Sequence, residues 1–229
     1  HTSFDPNQPN AGGCSIITCK SFTTQHFTNT THTNIIPGRL HSLHLSSAHH
    51  ELLIINVHLS PNLHTHDSMD FLNSIKHHIT QHPAARIFLA GDLNLTLDPE
   101  DRYSLITNQY VFNDTPLNRH WRNTFPSLTE HHQPSHTRFC RLDTTYPTTT
   151  ALLDRIFSNI HHDEDNLHNI YTHTNGVLFD PQNPSDHIAV TSHLRSPPPS
   201  TVRLPKAIPH WICTHPDFRK HVDIIADTY

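Results

Sequence analysis

The stretch Arg86-Ile87-Phe88-Leu89-Ala90-Gly91-Asp92-Leu93-Asn94 decides how the rest of the chain is read. Four consecutive apolar residues, Ile87 to Ala90, predict a short strand buried on both faces. The strand ends at Gly91, a residue type that permits a sharp turn or a close backbone approach. Asp92 and Asn94 follow at a spacing of two, which in an extended chain sends both side chains to one side. A carboxylate beside a carboxamide at a strand end makes an oxygen-rich corner. Such a corner suits a hard divalent cation, or a water attacking a phosphate. An Asx turn closing a surface loop is the competing reading of the same two residues.

Upstream, Glu51 to Leu59 contains the run Leu52 to Val57 and predicts a strand finishing at His58. Thr65 or Asp67 is placed to cap a following helix. Its apolar face is Met69, Leu72, Ile75 and Ile79, extending to about His82 before Pro83-Ala84 break it. Glu51 to Asn94 therefore reads strand–helix–strand, the unit of an α/β fold. Nearer the start, Cys14 to Cys19 predicts a strand, Phe22 to Pro37 a loop or irregular edge, and Leu40 to Leu45 a half-buried strand. Pro99 to Gln133 reads as connection anchored by Tyr103, Leu105, Ile106, Tyr110, Val111 and Phe112. A short strand at Pro134 to Phe139 and a polar loop at Thr144 to Thr150 follow. Ala151 to Phe157 predicts a second buried strand, carrying one acid, Asp154. Ile170 to Thr174, Val177 to Phe179 and Ile188 to Leu194 supply the last strand candidates.

Composition narrows the class. With 229 residues, one sizeable core and one α/β domain are expected, although only 34% of residues are apolar. No apolar run approaches the length of a membrane span. Cys14, Cys19, Cys140 and Cys213 form no CxxC pair, so they read as reduced thiols of an intracellular protein. The 26 histidines invite a zinc reading, but they lack a repeated ligand spacing. Thr, Asn and Pro are abundant too, and their codons share A and C with those of His. A nucleotide bias in the gene explains all four together. A net charge of −5 argues against a basic protein that coats nucleic acid. It leaves open an enzyme that grips phosphates locally. The Ser/Pro-rich run from Ser196 to Ser200 marks a boundary, giving a domain over 1–195 and a Pro-rich linker with the start of a following region over 196–229.

Three strand ends then align in order: Gly91-Asp92-Leu93-Asn94, Leu153-Asp154-Arg155-Ile156 and Ser185-Asp186-His187. Together with Asn56-Val57-His58-Leu59, Gly38-Arg39 and Gly12-Gly13, they resemble the endonuclease/exonuclease/phosphatase superfamily, the fold of pancreatic DNase, across Gly12 to Leu194. The resemblance implies a four-layer α/β sandwich with two packed mixed β-sheets (DNase I-like) and metal-dependent phosphodiester hydrolysis with Mg²⁺ or Mn²⁺. It assigns Asp92 to the attacking water, Asn94 to a phosphate oxygen or metal-bound water, and Asp186 to the metal, with Asp92 and Asn94 beside it. His187 would donate to the phosphate with Asp154 orienting its ring, and His58 would add a phosphate contact. The family also begins with strands carrying an Asn and a Glu, whereas no Glu precedes Glu51 here. That difference, and a start at His1, imply a domain lacking its first strands, N-terminally truncated. Leu204 to Trp211 and His215 to Phe218 resemble the linker between endonuclease and reverse transcriptase in non-LTR retrotransposons. A DNA-nicking endonuclease of such an element is the expected function. Its partners would be DNA and a reverse transcriptase in the same polyprotein, with a nuclear location and no membrane. A host DNA-repair nuclease, another phosphoesterase of the fold, or a decayed inactive domain are the alternatives.

The histidines make a prediction of their own. Their reference pKa is about 6.5, so mild acidification turns the net charge from negative to positive. Non-specific DNA affinity is expected to rise between about pH 7.5 and 6, with a steeper salt dependence at the lower pH. Filter binding across that range measures it, and a flat affinity would show that few histidines face DNA.

Overall fold

The computed structural model describes residues 1–7, 13–133, 135–141, 147–160, 170–175 and 186–194. The chain opens with β1 (Thr2–Ser3), β2 (Cys14–Ser15), α1 (Lys20–His26), β3 (Asn29–Ile36), β4 (Leu40–Ser46) and β5 (Glu51–His58). Helix α2 (Thr65–Thr80) leads to β6 (Arg86–Asp92), a 3-10 turn (Pro99–Asp101), β7 (Arg102–Ser104) and β8 (Gln109–Tyr110). Then come α3 (Pro116–Thr124), β9 (Thr129–Glu130), β10 (Arg138–Arg141), β11 (Pro147–Ala151) and β12 (Asp154–Ser158). The final pair is β13 (Ile170–Asn175) and β14 (Ala189–Leu194). The chain divides into His1–Arg195 and Ser196–Tyr229, and the second unit lies outside the described residues. So do Gly12, Ser185 and the candidate strand Val177 to Phe179.

The main sheet is six-stranded, in the order β3-β4-β5-β6-β12-β9. It is mixed: β5 and β6 run parallel, joined by α2, while β3–β4, β4–β5, β6–β12 and β12–β9 are antiparallel. A four-stranded sheet, β10-β11-β7-β8, and the pairs β1-β2 and β13-β14 complete the described strands. The strand–helix–strand unit and the α/β class are therefore as the sequence implies. One face of β5 and β6 carries Leu53, Ile55, Val57, Ile87 and Leu89, all buried against Phe71, Leu72 and Ile75 of α2. Trp121 and Phe125 close the same core from α3. Each such side chain contributes about 1.5–3 kcal/mol by leaving water, so this face sets the alternation of the sheet. On the opposite face Leu52, Ile54, Phe88 and Ala90 are only partly covered, so Ile87 to Ala90 is not buried on both sides.

Several expectations differ from the structure. Phe22 to Pro37 is mostly ordered: α1 occupies its start, and β3 pairs with β4 from Asn29↔Ser46 to Ile36↔Leu40. Its Thr/His content disguised an edge strand whose outer residues face water. Strand β2 is confined to Cys14–Ser15 rather than reaching Cys19. Helix α2 begins after His64, which makes no side-chain cap, so neither Thr65 nor Asp67 is its N-cap. Within Pro99 to Gln133, Leu105, Ile106, Tyr110 and Val111 are exposed, Ile106 by 71%. The segment is anchored instead by α3, whose Thr115-Pro116 start is a regular capping signal: Thr115 Oγ1 accepts from Asn118 N. Ala151 to Phe157 is two strands, since Ala151 ends β11 and Asp154 opens β12, and β11 takes up residues of the expected polar loop.

Gly91 has φ +140°, and a Cβ there would lie 2.0 Å from the Val57 carbonyl oxygen on the paired strand. Gly91→Ala is expected to lower stability by about 3 kcal/mol, read as a fall in the urea midpoint. The buried histidines add a pH dependence. Burial first, then the neighbouring His32 and amino-terminal charges, holds His41 down at about 4. His58, His78 and His82 are lowered as well, each chiefly by burial. Below the unfolded value of about 6.5 the unfolded chain takes protons that these folded rings refuse. Their contribution is fully present above that pH and is lost as pH falls toward 4. Thermal melts at about pH 6.5 and 5 should show a lower Tm at the more acidic value; equal values would contradict the assignment.

Candidate active site

The site begins as one row of the main sheet. Parallel pairing of β5 with β6 sets His58 beside Asp92, and antiparallel pairing of β12 with β6 sets Asp154 on its other side. Directly paired residues share a face, so the three side chains emerge together. Gly91, one position earlier, lets the strands close up at this edge.

Asp92 is fixed by the chain that follows it. Asn94 N donates to Asp92 Oδ1 at 3.0 Å, and Asn94 Nδ2 donates to Asp92 Oδ2 at 2.8 Å. The same Nδ2 donates to Leu59 O at 2.8 Å, and Asn94 adopts φ +48°. This is an Asx turn, and it is also what aims the carboxylate, so the two readings of Gly-Asp-Leu-Asn are one geometry. Asn94 is thereby a support for Asp92, with its amide hydrogens already donated to protein oxygens.

Asp154 is held from a direction the sequence did not disclose. Thr137 is fully buried, and its Oγ1 accepts from Leu153 N at 3.2 Å and Asp154 N at 3.0 Å. Thr137 O accepts from Ile188 N at 2.7 Å, and Phe139 N donates to Asp186 O at 2.8 Å. The segment 186–188 is thus hung on the start of β10, and His187 Nδ1 meets Asp154 Oδ2 at 2.8 Å. The Asp186 carboxylate turns to Arg138 Nε at 3.1 Å, and its Oδ1 is 3.9 Å from His187 Nε2. On the far side of the row, Arg39 Nη1 lies 3.1 and 3.3 Å from the two ring nitrogens of His58. Neither Thr137 nor Arg39 was assigned a role from sequence. Thr137 lies just before β10 in a segment without any motif, while Gly38-Arg39 was visible only as a landmark.

A cleft of about 380 Å³ opens over the row, lined among others by Ser15, Asn56, His58, Asp92 and His187. Burial, and then the adjacent Asp154 charge, pushes the Asp92 carboxyl up. The Asp154 hydrogen bond raises His187, while burial and the Arg39 charge lower His58. Ligand atoms of Asp92, Asp154 and His187 lie within 4.8 Å of one another. That trio differs from the expected metal set of Asp186, Asp92 and Asn94. Two carboxylates facing each other across paired strands are a hard, negatively charged donor set, and a divalent cation fits it.

Thr137→Val would leave two buried N–H groups without an acceptor. A loss of about 2 kcal/mol is expected, with the His187 imidazole resonance shifted because its Asp154 partner loosens. A stability within error of the parent would refute that role.

No family model matches the sequence, and comparison with curated proteins finds no match. Solved structures do. The chain is similar to the endonuclease domain of TRAS1, a telomere-specific non-LTR retrotransposon, at 16% identity over 73% of this chain and 68% of that one, with a TM-score of 0.50. It is similar also to an AP endonuclease from Archaeoglobus fulgidus, at 13% identity over 69% and 65%, TM-score 0.50. The AP endonuclease LMAP from Leishmania major matches at 15% identity over 70% and 56%, TM-score 0.50. The chain spans about two thirds of the first two and just over half of the third. At such identities the likeness establishes a shared fold, the DNase I-like α/β fold that the motifs implied.

Proposed function

We propose that this chain hydrolyses phosphodiester bonds of DNA with a divalent metal ion, as the nuclease domain of a non-LTR retrotransposon. The observation that carries the chemistry is the row His58–Asp92–Asp154 with His187 bonded to Asp154. Phosphodiester hydrolysis is limited by charge building on the phosphate oxygens and by bringing an anionic nucleophile to an anion. Asp92, aimed by Asn94, orients the attacking water and accepts its proton. His187, with Nδ1 committed to Asp154, has Nε2 as the atom that reaches a phosphate oxygen. Arg39, against His58, brings positive charge to the other end of the row. Asp92 and Asp154 would hold Mg²⁺ or Mn²⁺, which when bound offsets charge on the phosphate; Asp186 is the further carboxylate beside the site. The retrotransposon reading rests on the linker-like run Leu204 to Trp211 and on the shared fold of the TRAS1 domain.

Nicking of supercoiled plasmid tests the proposal. Activity should require Mg²⁺ or Mn²⁺ and stop with EDTA. Asp92→Asn and His187→Ala should each slow it by about a hundredfold or more. Full activity of either variant would remove the mechanism. Turnover of an inositol phosphate or other soluble phosphoester in preference to DNA would move the chain to another branch of the fold.

A further inference from the structure

The turn between β3 and β4 carries Arg39 to the end of the active-site row. Gly38 makes that turn possible: its φ is +71°, and a Cβ there would lie 2.9 Å from Asp5 N. The amino-terminal segment then locks it. Gly38 N donates to Ser3 Oγ at 2.8 Å, and Cys14 Sγ donates to Gly38 O at 3.5 Å. Arg39 N donates to Ile36 O at 3.0 Å, and Arg39 O accepts from His58 N at 2.8 Å. Main-chain bonds thus set Arg39 beside His58 before the side chains meet.

The side chains meet face-on. Arg39 Nη1 is almost equally far from His58 Nδ1 and Nε2, at 3.1 and 3.3 Å. A donor aimed in the ring plane at one nitrogen would lie much farther from the other. An atom in that plane as near to both would strike the Cε1–H between them. Nη1 therefore stands over the face of the ring, the stacked arrangement that a planar guanidinium favours. Stacking leaves the in-plane direction of each ring nitrogen to a further partner. Among the described residues the His58 ring has no other hydrogen bond. His58 lines the cleft over Asp92, whereas Arg39 is absent from its wall.

We infer that Arg39 is a positioning residue: it acts on the phosphodiester through His58, by holding that ring in the orientation that turns a nitrogen to the substrate phosphate. The inference rests on the nuclease reading of the row His58–Asp92–Asp154. An unsupported imidazole at the end of β5 would be free to change rotamer; the stacked guanidinium orders it before substrate arrives.

Two measurements on the full chain test it. Plasmid nicking is followed in a double-mutant cycle of Arg39→Gln and His58→Ala. Arg39→Gln should lower kcat about tenfold with KM little changed, on the scale of loosening a positioned group. Once His58 is alanine, Arg39→Gln should cost nothing further. Arg39→Lys should not restore the rate, because an ammonium is a point charge without a face to stack. A direct phosphate contact predicts the reverse: losses that add, rescue by lysine, and a shallower salt dependence of DNA binding.

The second measurement needs neither DNA nor metal. NMR couplings between Hα and Hβ of His58 should report one χ1 rotamer in the parent and averaging in Arg39→Gln. The His187 signals should stay in place. Should Arg39→Gln lower the urea midpoint, Arg39→Lys supplies the same couplings in a chain that keeps the aliphatic stem and the charge. A parent that nicks no DNA would remove the nuclease reading, and the couplings alone would then decide whether Arg39 holds the ring. Additive losses, rescue by lysine, or a single His58 rotamer without the guanidinium would each overturn the inference.

Discussion

The register of three adjacent strands is the constraint on which the rest depends. His58, Asp92 and Asp154 stand side by side only because β5, β6 and β12 pair as His58↔Asp92↔Asp154. A slip of one residue would send each side chain through the sheet to the α2 and α3 face. What prevents the slip is hydrophobic: Leu53, Ile55, Val57, Ile87, Leu89 and Phe157 must stay in the helix-covered core. Core and site are therefore alternate positions of the same strands, and neither is specified without the other. Gly91 shows how tight the arrangement is, because its neighbour's carbonyl occupies the space of a side chain.

Register alone does not hold His187, which arrives from a segment distant in sequence. Thr137 solves this with one residue. Its hydroxyl takes the amides of Leu153 and Asp154, and its carbonyl takes the amide of Ile188. The acid and the imidazole that must meet are thus hung on a common, fully buried point. An unsatisfied amide in that position is expensive enough to keep the two segments together. The ion pair of Arg138 with Asp186 continues the same attachment toward solvent, where its energetic worth is small.

Much of this was legible because strong local signals coincide with function. A four-residue apolar run ending in Gly-Asp-x-Asn announces a strand, a turn and an acid at once, and the apolar periodicity of α2 places the next strand parallel to the first. Asp154 and His187 were legible as strand-end residues in the right order. Thr137 was not, since a threonine in a short polar segment carries no pattern until its tertiary partners are known. The anchors of Pro99 to Gln133 failed for a related reason: apolarity nominated Leu105, Ile106 and Tyr110, whereas burial in that segment went to Trp121 of α3 and its C-cap Phe125. That Asp92, Asp154 and His187 come within 4.8 Å of one another was not legible, because spacing in sequence says nothing about which carboxylates paired strands bring face to face.

The fold sorts a histidine-rich composition by burial. Among the described residues His1, His26, His49, His50, His64, His66, His77 and His132 are exposed, where an imidazole costs little. Those inside are matched to a hydroxyl. His78 shares a 2.7 Å bond with Ser42, and His131 lies between Ser158 and Ser192 at 2.9 and 2.7 Å. A neutral imidazole needs one donor and one acceptor partner, and hydroxyls supply either. His41 departs from this. It is fully buried, bonds His32 through Nδ1 at 3.0 Å, and leaves Nε2 without a hydrogen-bond partner among the described residues. It is also the ring held furthest below its ordinary pKa, at about 4. Both follow from one fact: at that position on β4 the fold requires a buried side chain, and the imidazole found there is incompletely solvated by protein. A nearby hydroxyl supplies a buried imidazole with its hydrogen bond, but burial alone still lowers the ring's pKa, at His78 as at His41, and so costs stability in acid.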